Sequence, residues 1–176
     1  MEKLLFSEEQ RFTQWWLWLI MCFTLLAVII PISISVQQEW VLGLSFSEQP
    51  SPVTETVIAG LVTLVVMLGI FALIFTFRLK TKITTKGISV LFQPVHRKWK
   101  QITPDSIEHY EIRNYRANLE YGGHGARRRG KSGHAFTISG KTGLQLQLKN
   151  GQKILIGTQK KQSIEYAMRK LMRGEE

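Results

Sequence analysis

The sequence predicts an α+β membrane protein: a transmembrane hairpin of two apolar helices, then a small β-rich domain closed by a C-terminal helix. Three observations predict it. Two runs of more than twenty residues carry no charge. Short alternating segments, separated by Gly- and Asn-containing turns, follow them. The charge is also polarised. Residues 1–77 hold two Lys and Arg against six Asp and Glu, a net −4, whereas residues 78–176 hold 21 against seven, a net +14. A chain of 176 residues has room for one ordinary domain beside the apolar runs.

Residues 1–14 read as a short N-terminal lead. Residues 15–36, WWLWLIMCFTLLAVIIPISISV, form the first predicted span, with Pro31 expected to kink or fray its outer end. Lys3 and Arg11 give it a weakly basic front, but it is long for a signal peptide and no Ala-x-Ala site follows, so it reads as retained. Cys22 reads as a small packing residue, and as the only cysteine it excludes an internal disulfide. Residues 57–77, VIAGLVTLVVMLGIFALIFTF, form the second span. At about 1.5 Å per residue a helix of this length crosses a hydrocarbon core of ~30 Å.

The connecting segment 37–56 carries Glu39, Glu48 and Glu55 but no Lys or Arg, and Arg78, Lys80, Lys82 and Lys86 come directly after the second span. Lys and Arg concentrate on the cytoplasmic side, so both termini are expected inside a bacterial inner membrane and 37–56 outside. Trp15, Trp16, Trp18 and Trp40, with Arg78 and Lys80, are the expected interface anchors. Neither span contains Asp, Glu, Lys, Arg or His, which argues against an ion or proton pathway in a single copy. Ala59 and Thr63 make a small-xxx-small pair suited to helix packing, within the hairpin or in a homo-oligomer.

Residues 78–176 form the predicted cytoplasmic domain. In 143–149 Leu144, Leu146 and Leu148 alternate with Gln145, Gln147 and Lys149, the pattern of a half-buried strand. Asn150-Gly151 then suits a two-residue hairpin turn into 152–158. Residues 81–85 and 87–93 flank a Lys86-Gly87 turn, and 97–102, 107–116 and 134–139 complete seven strands. Residues 160–172 place Ile164, Ala167, Met168, Leu171 and Met172 at helical spacing, an amphipathic helix expected to cap the β core. Arg169, Lys170 and Arg173 suit its C-terminus.

The opening hairpin 83-ITTKGI-88, the Trp99-x-x-Ile102 segment leading to Ile107, and the closing order of alternating strand, Asn-Gly turn, KILIGT strand and amphipathic helix resemble the bacterial pleckstrin-homology-like domain family. The layout is similar to that of small two-span bacterial membrane proteins that carry such a domain after the second span. The resemblance implies a seven-stranded barrel or sandwich capped by a helix. It implies recognition of lipid headgroups, peptides or partner proteins, and it does not by itself fix function. In lipid-binding relatives of the fold the basic pocket is built around the first hairpin, where this chain offers only Lys82 and Lys86. No phosphoinositide pocket is carried over.

The cationic mass lies instead in 121-YGGHGARRRGKSG-133, read as a loop between the fourth and fifth strands. Arg127, Arg128, Arg129 and Lys131 are candidate contacts to the anionic inner leaflet, each worth roughly 1 kcal/mol near such a surface. Gly122, Gly123 and Gly125 are candidates for bringing backbone N–H groups close to phosphate. A protein partner with an acidic face and a merely solvated loop are the competing readings. Membrane tethering argues against nucleic acid. His96 and His109 stand isolated, His124 and His134 flank the basic segment, and none has a Cys or carboxylate at metal-ligand spacing. No nucleophile–base set appears, the Gly-x-Gly pattern lacks the Gly-Lys-Ser/Thr ending of a phosphate loop, and Asp105 is the only Asp. The sequence therefore predicts no enzyme, metal or cofactor. It predicts a membrane-anchored recognition or scaffold protein, with a subunit of an oligomeric channel or transport assembly as the alternative.

Overall fold

The computed structural model describes residues 3–12, 15–42, 52–130 and 133–174. It separates into two compact units, Thr13–Ile74 and a second made of Met1–Phe12 with Phe75–Glu176.

The first unit holds α1 (Trp15–Leu42) and most of α2 (Pro52–Thr76). Both are long and apolar enough to cross a membrane, over Leu17–Gln37 and Thr54–Thr76. Leu17, Met67 and Phe71 are buried, but most of the helices' apolar side chains are exposed, Phe23 at 75% and Val65 at 68%, which in water would be an unsupported surface. Helix α1 continues through Pro31, and residues 37–42 and 52–56, expected in the external loop, are helical. Pro52 starts α2, where its missing N–H costs nothing. Cys22 is exposed on α1 and not packed. The hydroxyls of Thr24, Ser33 and Thr63 donate to carbonyls of their own helices, at Ile20, Ile29 and Ala59. Gly60 is the position of close approach between the helices: a Cβ there would lie 2.7 Å from the Ile32 side chain.

The second unit is built from two sheets. The first has the order β1 (Leu4–Arg11), β2 (Arg78–Thr84), β3 (Gly87–Gln93), β4 (Lys100–Ile102), all antiparallel. The second comprises β5 (Ile107–Asn114), β6 (Gly125–Arg129), β7 (Gly133–Thr137), β8 (Thr142–Leu148) and β9 (Lys153–Gly157), in the order β5-β8-β9-β7-β6. The β7·β9 pair is parallel, because the β6–β7 hairpin crosses to the far edge before β8 returns beside β5. The sheets remain open, with edges at β1, β4, β5 and β6, so the expected closed barrel is not what forms. Their inner faces share one core, from Leu79, Ile88 and Phe92 on one sheet to Leu144, Ile154 and Ile156 on the other. Helix α4 (Lys161–Arg173) closes it with Ile164, Ala167, Met168 and Leu171, while Met172, expected on this stripe, is exposed.

All seven expected strands are present, and two more join them. β1 was read as a lead outside the domain, but it pairs along β2 from Leu4↔Thr84 to Arg11↔Arg78. Its inward residues are Phe6, Glu8 and Gln10, so hydrophobic alternation could not mark it. β6 occupies what was read as a loop, and its edge position accommodates three arginines. The turn after β8 is longer than the two-residue form expected. The Leu148 N–H donates to Gln152 O (2.9 Å), and Gly151, at φ 79°, closes a three-residue loop.

Candidate functional site

The basic segment is built outward from β5. After Asn114 the chain forms a short helix, α3 (Ala117–Tyr121), that ends on Gly122 in the left-handed region, φ 73°. The Gly122 N–H donates to Asn118 O and the Gly123 N–H to Ala117 O. These two N–H groups, expected to approach phosphate, are therefore consumed in closing the helix. Gly125 opens β6.

Along β6 the side chains alternate between faces. Arg127 and Arg129 share the face of α3: Arg127 Nε donates to His124 O (3.3 Å), and an Arg129 guanidinium nitrogen donates to Leu119 O (2.8 Å). Under the same face Tyr115, Ala117, Tyr121, Ala135 and Leu155 form a small second core. Arg128 points the other way, opposite His134 on β7. The structure thus divides the expected cluster between two faces, and Lys131 lies outside the described residues. Half-buried His124 sits beside Arg127, and burial lowers its pKa.

On the Arg128 face other basic groups gather. Lys100 is on the inner face of β4 with Ile102, and its ammonium lies 5.7 Å from the centre of the Phe136 ring. His96, in the link between β3 and β4, meets the same ring edge-on at 5.8 Å. His134 lies two residues before Phe136 on one face of β7. Burial, then the neighbouring Arg128, lowers the Lys100 pKa. Burial lowers that of His134, and Lys100, Arg128 and His96 lower it further. Among the described residues none of the four makes an ion pair. Sequence reasoning left His96 isolated because only the packing of β4 beside β7 brings 96, 100, 128 and 134 together.

The outer face of the second sheet carries a groove of about 400 Å³ lined by His109, Glu111, Arg113, Glu120, Gln145 and Lys153, among others. Arg113 donates there to Glu120 Oε2 (2.7 Å), Gln145 Oε1 (3.0 Å) and the Tyr121 hydroxyl (3.4 Å). The Arg116 N–H donates to the other Glu120 oxygen (2.8 Å). The hydrogen bond with Arg113 holds the Glu120 pKa below the usual carboxylate range, and the same bond raises that of Arg113. The network is satisfied and charge-balanced, which suits positioning α3 over the sheet more than binding a ligand.

The expected interface anchors are distributed as follows. Trp15 and Trp18 are exposed on α1, and the side chains of Trp16 and Trp40 lie outside the described residues. Arg78 and Lys80 begin β2 and stand 3.7 and 3.8 Å from Glu9, which also pairs with Arg11 at 2.9 Å. Among the described residues no group of three or more His, Cys, Asp or Glu gathers at metal-holding distance. No protein-family model matches the chain, and no match is found among curated proteins or solved structures.

Proposed function

We propose that this is a membrane-anchored, non-catalytic recognition protein. Its two helices span a bacterial inner membrane, and its two-sheet domain, a pleckstrin-homology-like module, contacts anionic headgroups or a protein partner at the cytoplasmic face through the basic hairpin β6–β7. One observation carries the reading. β1 and β2 are adjacent strands of one sheet, yet the chain between them contains both apolar helices. A domain assembled from both sides of that insert needs both ends of the helix pair on one side of the bilayer. The excess of Lys and Arg after residue 77 favours the cytoplasmic side. Two facing sheets and a core-capping C-terminal helix support the pleckstrin-homology-like assignment, while the inserted β6–β7 hairpin and parallel β7·β9 pair depart from the seven-strand layout expected. A channel subunit is the weaker reading, because residues 15–36 and 57–77 contain no Asp, Glu, Lys, Arg or His.

The test is amide hydrogen exchange of the full chain in nanodiscs of neutral or anionic lipid at physiological salt. Residues 122–130 are expected to gain protection only in anionic discs, and Arg127, Arg128 and Arg129 all changed to Gln should abolish the gain. Equal exchange in both discs would remove headgroup contact and direct the search to a protein partner.

A further inference from the structure

We propose that Arg128, Lys100, His134 and His96 form a phosphate-binding site, open to solvent, where the β6–β7 hairpin faces β4 of the other sheet. The inference narrows the recognition reading to one face of the hairpin, and its chemistry is tested independently of any membrane.

Four basic or titratable groups arrive there from three places in the chain. Arg128 and His134 are cross-strand partners in the β6·β7 register, so their side chains leave the sheet on one side. Lys100 and His96 reach the same side from the other sheet, and both meet the ring of Phe136, two residues along from His134. The ring is an apolar floor that removes water from beneath the ammonium. Lys100 and His134 are half-buried, whereas Arg128 and His96 are exposed and leave the mouth accessible.

Several other cations of this domain do have carboxylate partners. Glu9 serves Arg11, Arg78 and Lys80, Glu120 serves Arg113, and Glu165 serves Arg169. At this face, among the described residues, no carboxylate answers the positive charge. Like charges brought together repel, and a mobile anion relieves this best when it carries two charges and several acceptor oxygens. A phosphate group fits: it accepts from a guanidinium fork, an ammonium and imidazole N–H groups together. A bound phosphate favours the charged form of His134 and so opposes the effect of burial and cationic neighbours there. The source is a lipid phosphate or free phosphate, with the same binding chemistry in either case.

The experiment follows the imidazole resonances of the full chain in non-ionic detergent during titration with inorganic phosphate, against chloride at matched ionic strength. A parallel series uses nanodiscs with and without phosphatidic acid. Phosphate is expected to raise the His134 midpoint saturably, and to perturb the His96 resonances, where chloride does neither. R128Q and K100Q should each weaken the response about tenfold or more. K149Q, exposed in the loop between β8 and β9, should leave it within about twofold. Arg128 is exposed on an edge strand, so R128Q keeps the test interpretable if K100Q disturbs packing. A response to free phosphate in detergent establishes the site and a soluble source. A response only in phosphatidic acid discs establishes it with a headgroup source. No saturable response in either series, or an equal loss in K149Q and R128Q, overturns it. The site and the leaflet reading can fail separately: phosphate binding in detergent without protection in anionic discs leaves the site and removes the leaflet contact.

Discussion

Glu8 shows what a single residue contributes here. Its side chain is inside the domain at 6% exposure, where an unanswered carboxylate would be prohibitive. It is answered from the C-terminal half of the chain by the Thr158 hydroxyl, which donates at 2.7 Å, and the Gln159 N–H, at 2.9 Å, and from its own strand by Gln10 Nε2 at 3.1 Å. Gln10 Nε2 also donates to Gly157 O at 2.8 Å. Glu8→Ala strands the Thr158 hydroxyl and the Gln159 N–H, and the expected loss is about 2–3 kcal/mol by chemical denaturation in detergent. A loss no greater than that of an exposed Glu9→Ala control would show that β1 is held by its ladder alone. The Arg113–Glu120 pair gives a pH prediction. Because the folded-state pKa of Glu120 is lowered, its contribution is present above the unfolded carboxylate pKa and is lost as pH falls through the folded value. The gap in stability between wild type and Arg113→Gln is therefore expected at neutral pH and should close as pH falls below the ordinary carboxylate range. The gap is small, since the pair is partly solvated. Neither Glu8 nor Glu120 was legible in the sequence, because each partner set is assembled by tertiary contact.

At the scale of elements, legibility followed apolar periodicity. β8 and α4 were plain because their buried residues are apolar and regularly spaced: Leu144, Leu146 and Leu148 on one, Ile164, Ala167, Met168 and Leu171 on the other. β1 and β6 were missed because one buries polar groups and the other, at an edge, buries almost nothing. A further element-level feature is the cross-strand pair Gly143↔Gly157 in β8·β9, which leaves a slot for the ring of Tyr115. A Cβ on Gly157 would sit 3.1 Å from the Tyr115 hydroxyl, and one on Gly143 3.2 Å from its ring. The hydroxyl is buried, and that burial pushes its pKa up to about 12. Gly157→Ala is expected to cost about 1–3 kcal/mol by overpacking. Tyr115→Phe should recover part of that cost in the double variant, since it removes the atom the new methyl meets. Strict additivity in the thermodynamic cycle would show that the ring does not occupy the slot.

For the whole molecule, the two apolar helices behave as an insert in a β-hairpin. Where the chain leaves and re-enters the domain, Phe12 and Phe77 meet edge-on with ring centres 6.1 Å apart, and Phe77 continues to Phe92 at 5.9 Å. Replacing residues 13–76 by a short Asn-Gly turn is therefore expected to give a chain that stays in the supernatant on ultracentrifugation and shows dispersed amide resonances. Residues 78–176 alone, lacking β1, should not. Equal dispersion from both would mean that β1 is dispensable. The segmental composition of the sequence showed the two kinds of unit, but not that the first few residues belong to the last unit, because pairing across so long an insert leaves no local trace.

That insert has a consequence for how the protein is made. On the membrane-anchored reading, β1 emerges from the ribosome first and waits on its side of the bilayer until both helices have been threaded. If only one helix enters, β1 and β2 end on opposite sides, Glu8 never meets Thr158, and the open edge of β2 is left for a protease to find. On that reading, closing the β1–β2 pair would require both helices to have been threaded.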